Sequence, residues 1–175
     1  MEKTKLLNKI EDYIIKKDYV SARKLIRNDL KRIGTKYEYY FYMGIASTDA
    51  DERMRNFKQA YEIEPNNLDI IINLANANDE QENYDIAIKG YNKALELDNK
   101  NALVYNNRGF SYFHKGEYEN ALNDYNKALS LSPKLKIAQY NKDELIKLLK
   151  DDEKYTEPRT YRNYYKKLLR KLNIP

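Results

Sequence analysis

One histidine and no cysteine in 175 residues remove most side-chain chemistry before any motif is sought. Without cysteine there is no thiolate nucleophile, no disulfide and no thiolate-held zinc, whatever the compartment. His114 stands before Lys115 and Gly116. A general base or metal ligand needs partners at fixed distances, and no motif supplies them. A histidine near a helix C-terminus is also favoured by the helix dipole, which is the reading adopted. Carboxylates cluster at Asp49–Glu52 and Asp151–Glu153. Neither cluster has the alternating oxygen spacing of a calcium loop, while Asp51 and Glu52 suit the first turn of a helix. No glycine-rich phosphate loop occurs. The expectation is a non-enzyme, with no catalytic residues, no cofactor and no metal.

What remains is non-covalent chemistry, and it is repeated. "ENYDIAIKGYNKALELDN" begins at Glu82, and "GEYENALNDYNKALSLSP" begins 34 residues later at Gly116. Tyr84, Ala87, Tyr91, Lys93, Ala94 and Leu95 recur as Tyr118, Ala121, Tyr125, Lys127, Ala128 and Leu129. A fixed period of this size means stacked structural units. In the unit Ala102–Leu135, Tyr105, Arg108, Gly109 and Tyr112 share one helical face. Gly116 supplies a turn, Tyr118 to Leu129 make a second apolar stripe, and Pro133 stops it. Two antiparallel helices follow. Gly109, Ala121 and Ala128 let their axes approach.

These residues resemble the tetratricopeptide repeat family, whose motif runs large aromatic, Leu-Gly, Tyr, then Ala, aromatic, Ala and Pro. The matching positions are Tyr105, Arg108 and Gly109, Tyr112, Ala121, Tyr125, Ala128 and Pro133, with Arg108 in place of the family's Leu. The preceding unit, 68–101, matches through Ile71, Leu74, Ala75, Ala87, Tyr91 and Ala94, and departs at Asn78 and Asn99. A third unit matches through Tyr40, Met43, Gly44, Phe57, Ala60 and Pro65. Its Gly44-to-Ala60 spacing is 16 against 19 from Gly109 to Ala128, so its inter-helix turn reads as three residues short. Leu6, Ile10, Tyr13, Tyr19, Ala22 and Ile26 fit the motif loosely. The resemblance implies an all-α, right-handed solenoid of antiparallel helix pairs with an added C-terminal helix. About four pairs fill residues 1–135, most clearly 68–135; a capping helix spans 136–150 and a basic amphipathic helix lies within 156–175.

A second stripe runs along each first helix. It holds Leu103, Asn106, Phe110 and Phe113 in one unit; Ile72 and Asn76 in the one before; Phe41 and Ile45 before that; and Ile137 and Tyr140 in the capping helix. In solenoids of this family first helices line the concave wall. The resemblance therefore implies one groove shared by these residues, and a monomer seldom exposes such a patch without use. The alternative is that neighbouring repeats bury them. Asn73, Asn107 and Asn141 recur at 34-residue intervals along its edge. A side-chain amide both donates and accepts, which suits a peptide backbone. Asn76 and Asn107 match two asparagines with which chaperone-tail-binding relatives hold a terminal carboxylate. Ile72, Ile137 and Asn141 stand where those relatives have cations, which argues against that clamp.

The expected partner is another protein, supplying a peptide or amphipathic helix. Net charge is +5, but residues 1–40 carry 11 basic against 6 acidic residues, 155–175 carry 6 against 1, and the middle carries 15 against 20. The basic ends admit a nucleic-acid-binding helical repeat as the alternative, and the acidic middle argues against it. The last helix presents Tyr161, Tyr164, Leu168 and Leu172 on one face and Arg159, Arg162, Lys166 and Arg170 on the rest. It could cap the array, dock in the groove, or lie on an anionic membrane surface or nucleic acid. Its charge, opposite to the middle segment, favours intramolecular packing. No apolar run is long enough for a membrane span and no secretory signal opens the chain, so a cytoplasmic location is expected.

Overall fold

The computed structural model describes residues 2–155 and residue 170. The helices are α1 (Glu2–Ile15), α2 (Tyr19–Leu25), α3 (Lys31–Ile33), α4 (Lys36–Ile45) and α5 (Ala50–Ile63). They continue as α6 (Leu68–Glu80), α7 (Tyr84–Leu97), α8 (Ala102–His114), α9 (Tyr118–Leu131) and α10 (Lys136–Tyr155), and a π-helical turn, Ile26–Leu30, joins α2 to α3. No strand occurs among the described residues. The chain divides into two compact units, Met1–Leu97 and Asp98–Pro175. The first pairs α1 with α2, α4 with α5 and α6 with α7, and the second pairs α8 with α9 and adds α10. The proposed helix Arg159–Leu172 lies, apart from Arg170, outside the described residues.

Short polar side chains set where helices begin. Asp49 accepts from the Glu52 amide, Asn67 from the amides of Asp69 and Ile70, and Asn101 from Val104. Thr35 and Glu38 form a reciprocal capping box on α4. Each satisfies amides that the helix itself leaves unpaired.

The inter-helix turns repeat one closure. Lys17, Glu82 and Gly116 take positive φ at 58°, 60° and 76°. The following amides, of Asp18, Asn83 and Glu117, reach back to the carbonyls of Tyr13, Asn78 and Tyr112 at 2.8–2.9 Å. This six-to-one bond closes the helix end and reverses the chain. Only at Gly116 does the residue type match the left-handed backbone without cost.

The short third unit departs from expectation. Its turn, 46–49, is one residue longer than 81–83 or 115–117. The shortening lies in the first helix: α4 has 10 residues where α6 and α8 have 13. Asp49 caps α5 directly, so no six-to-one closure is needed.

Packing within pairs relies on close approach. A Cβ on Gly109 would stand 2.8 Å from the Tyr125 ring and 3.1 Å from the Ala121 carbonyl oxygen. Tyr91 and Tyr125 are among the largest fully buried side chains. Arg108 donates from Nε and Nη2 to the two oxygens of Asp124, each at 2.7 Å. The salt bridge is largely buried and fills the place of an apolar leucine. Burial pushes the Asp124 carboxyl up against the opposing pull of Arg108. Leu145 and Leu149 of α10 share one buried cluster with Ala121, Leu122 and Tyr125 of α9. Helix α10 runs to Tyr155, five residues beyond the expected end, and includes the carboxylates at 151–153.

Candidate functional site

The proposed groove residues fall into both units. Phe41, Ile45, Ile72, Asn73 and Asn76 belong to the first, and Leu103, Asn106, Asn107, Phe110, Phe113, Tyr140 and Asn141 to the second.

In the first unit the aromatic and aliphatic members are partly spent on the core. Phe41 and Ile45 pack against the buried cluster of Met54, Phe57 and Ala77, with the Phe41 and Phe57 rings 6.2 Å apart. Ile72 is half-buried. The asparagines are engaged internally. Asn73 donates to the Asp69 carbonyl at 2.8 Å, and Asn76 accepts from the Tyr91 hydroxyl at 2.8 Å. Ile45, Asn73 and Asn76 nevertheless line one open pocket of about 390 Å³ with Tyr19, Arg53 and Glu80. Arg53 pairs with Glu80 and donates to the Ser47 carbonyl at 3.0 Å.

In the second unit the stripe separates into buried and exposed members. Asn106 is 4% exposed. It donates to Asn107 Oδ1 at 3.1 Å and accepts from Asn141 at 3.0 Å, so it links α8 to α10. The recurring Asn73, Asn107 and Asn141 are half-buried, and each already bonds a neighbour, the Asp69 carbonyl or the Asn106 side chain. Phe113 packs against the Ala121–Leu149 core. The exposed members are Leu103 at 55%, Phe110 at 38%, Ile137 at 47% and Tyr140 at 61%. Leu103 and Phe110 lie about one turn either side of Asn106 on α8, and Ile137 and Tyr140 lie within about one turn before Asn141 on α10. His114 closes this end of α8, its ring 4.3 Å from Phe110 and 5.3 Å from Phe113. Ile137 belongs with this surface by its equivalence to Leu103.

No group of three His, Asp or Glu residues able to hold a metal occurs among the described residues. None of their helices is long and apolar enough to cross a membrane. Part of the basic N-terminal charge is neutralised internally. Lys3 pairs with Glu38 at 2.8 Å, Lys16 with Asp12 at 2.6 Å and Arg23 with Glu52 at 2.7 Å. The Arg23 guanidinium, with help from Ser47, holds the Glu52 carboxyl below the ordinary glutamate value.

A family profile described as tetratricopeptide repeat matches residues 102–135, and a second, described as TPR repeat, matches residues 80–116. Residues 80–135 of the chain are tetratricopeptide repeats. Solved structures with this repeat align with it. The TPR domain of Arabidopsis OM64 is 25% identical with a TM-score of 0.61, over 63% of this chain and 94% of that domain. MamA is 21% identical with a TM-score of 0.68, over 94% of each chain. YrrB, described as a TPR protein with an unusual peptide-binding site, is 18% identical with a TM-score of 0.68, over 79% of this chain and 73% of that one. No curated protein sequence matches the chain. The tetratricopeptide-repeat architecture is an all-α solenoid and generally a non-enzymatic scaffold for protein–protein interaction.

Proposed function

We propose that this tetratricopeptide-repeat protein is a non-catalytic adaptor that receives a peptide or amphipathic helix of another protein on the α8–α10 face. The observation that carries this reading is the exposure of Leu103, Phe110, Ile137 and Tyr140 around a satisfied amide pair. Apolar anchors beside polar groups that need no further partner suit a ligand recognised by its side chains. The relative YrrB, described as having a peptide-binding site, supports peptide recognition on this fold. A photocrosslinker at position 110 should capture the partner, and the same group at Lys127 on α9 should not. Leu103→Ala with Tyr140→Ala should remove the crosslink while the circular dichroism stays unchanged. Equal crosslinking from both positions would reject this face.

A further inference from the structure

The pairs α6–α7 and α8–α9 share one frame at a 34-residue offset, so their interiors can be compared position by position. In α8–α9 a polar plug fills the space between the helices. The Arg108 guanidinium is clamped by Asp124 and lies 5.4 Å from the Tyr105 ring centre and 5.9 Å from that of Tyr112. The counterparts in α6–α7 are Leu74 for Arg108, Gly90 for Asp124, Ile71 for Tyr105 and Asn78 for Tyr112. A guanidinium, a carboxylate and two aromatic rings are thus replaced by smaller groups. The backbones do not close the gap, because Gly90 already meets Ala75, where an added Cβ would stand 2.8 Å from the Ala75 Cβ. A cavity of about 340 Å³ results, with Tyr61 of α5 on its wall.

Its chemistry is one-sided. Ile71, Leu74, Ala75 and Ile86 give it an apolar lining, and Lys89 and Lys93 stand at the edge. No carboxylate lines it among the described residues. Lys93 Nζ donates to the Tyr61 hydroxyl at 2.9 Å and the Pro65 carbonyl at 2.7 Å, both uncharged. An ammonium has three donors, so one is left over. Lys89 is exposed. The Asn78 amide donates to its own helix at Leu74 O, 2.8 Å away, and Ile86 is 56% exposed at the mouth.

We propose that this cavity is a second recognition site, which takes an aliphatic side chain with a carboxylate beside it, presented by a segment of a partner protein. Volume and charge select that occupant. At about 340 Å³ the cavity stands at the small end of the roughly 300–1,000 Å³ spanned by ligand sites, room for a side chain or two. Two ammonium groups at the rim, with no carboxylate among the lining residues, select an anion there. The cavity lies within the first unit, uses none of Leu103, Phe110 or Tyr140, and stands or falls independently of the α8–α10 reading.

Nitrogen–proton correlation spectra of the full chain test it with the probe acetyl-Gly-Leu-Glu-Gly-amide. Saturable shifts should centre on the amides of α6 and α7. The neutral analogue with Gln for Glu should bind about tenfold more weakly, the effect expected for losing a hydrogen bond to a charged group. Lys89→Ala and Ile86→Glu, both at exposed positions, should each weaken binding with the helical signal retained. A second variant grafts the plug of the other repeat, Leu74→Arg with Ala75→Gly, Asn78→Tyr and Gly90→Asp, and should fold and lose the shifts altogether. Equal affinity for the two peptides, shifts confined to other helices, or undiminished binding by the grafted chain would overturn the proposal. Saturation by octanoate with none by the peptide would also overturn it, since the occupant would then be a free aliphatic acid.

Discussion

Arg108 stands where the family has leucine, and Asp124 neutralises it across the helix pair with two 2.7 Å bonds. Removing one member leaves a charge in a largely dry place. Asp124→Ala should therefore cost about 3 kcal/mol, measured by urea unfolding. Arg108→Leu together with Asp124→Ala should recover most of that loss, because an apolar pair needs no counter-charge. Glu52 makes an acid-sensitive contact. Its folded-state carboxyl is held below the ordinary value by Arg23. Its contribution is therefore present above the unfolded glutamate value and lost as pH falls through the lower, folded value. The urea midpoint should fall on acidification below about pH 4.5, and less steeply in Arg23→Ala. The asparagines show what a residue type withholds. Their 34-residue recurrence was legible, but an amide reads the same whether it awaits a ligand or bonds a neighbour. Asn73 bonds the Asp69 carbonyl of its own helix, and Asn141 bonds Asn106.

Helix positions in 68–135 were readable because periodicity, small residues and punctuation agreed there. The site of the contraction in the third unit was not. A spacing of 16 between Gly44 and Ala60 fixes the sum of helix and turn but not its division, and the Asp49 cap decides it. The turns give a prediction at this level. Glu82 carries φ 60° where its counterpart is Gly116. Non-glycine residues lose roughly 1–2 kcal/mol in that conformation, so Glu82→Gly should raise the melting temperature. Conversely Gly109→Ala should cost about 1–3 kcal/mol through overpacking, since the new methyl meets Tyr125 and the Ala121 carbonyl.

Over the whole chain, repetition made the architecture legible, while the exposure of any one stripe residue depended on neighbours that periodicity does not name. Phe113 and Phe110 have the same chemistry three positions apart, yet Phe113 joins the core and Phe110 does not. A terminal pair needs its open side covered, and Leu145 and Leu149 cover it. A chain ending at Leu135 should bind a hydrophobic dye and melt less cooperatively than the full chain. The short α4 also bears on how such a molecule is inherited. Its missing residues fall beyond Met43 and Gly44, the last ones buried within it, and the chain returns to phase at Ala50. Excising Tyr112–His114 would instead tear rings out of the core. Duplicated segments can thus be trimmed at one place and remain in step with everything downstream, leaving ragged copies for natural selection to diversify.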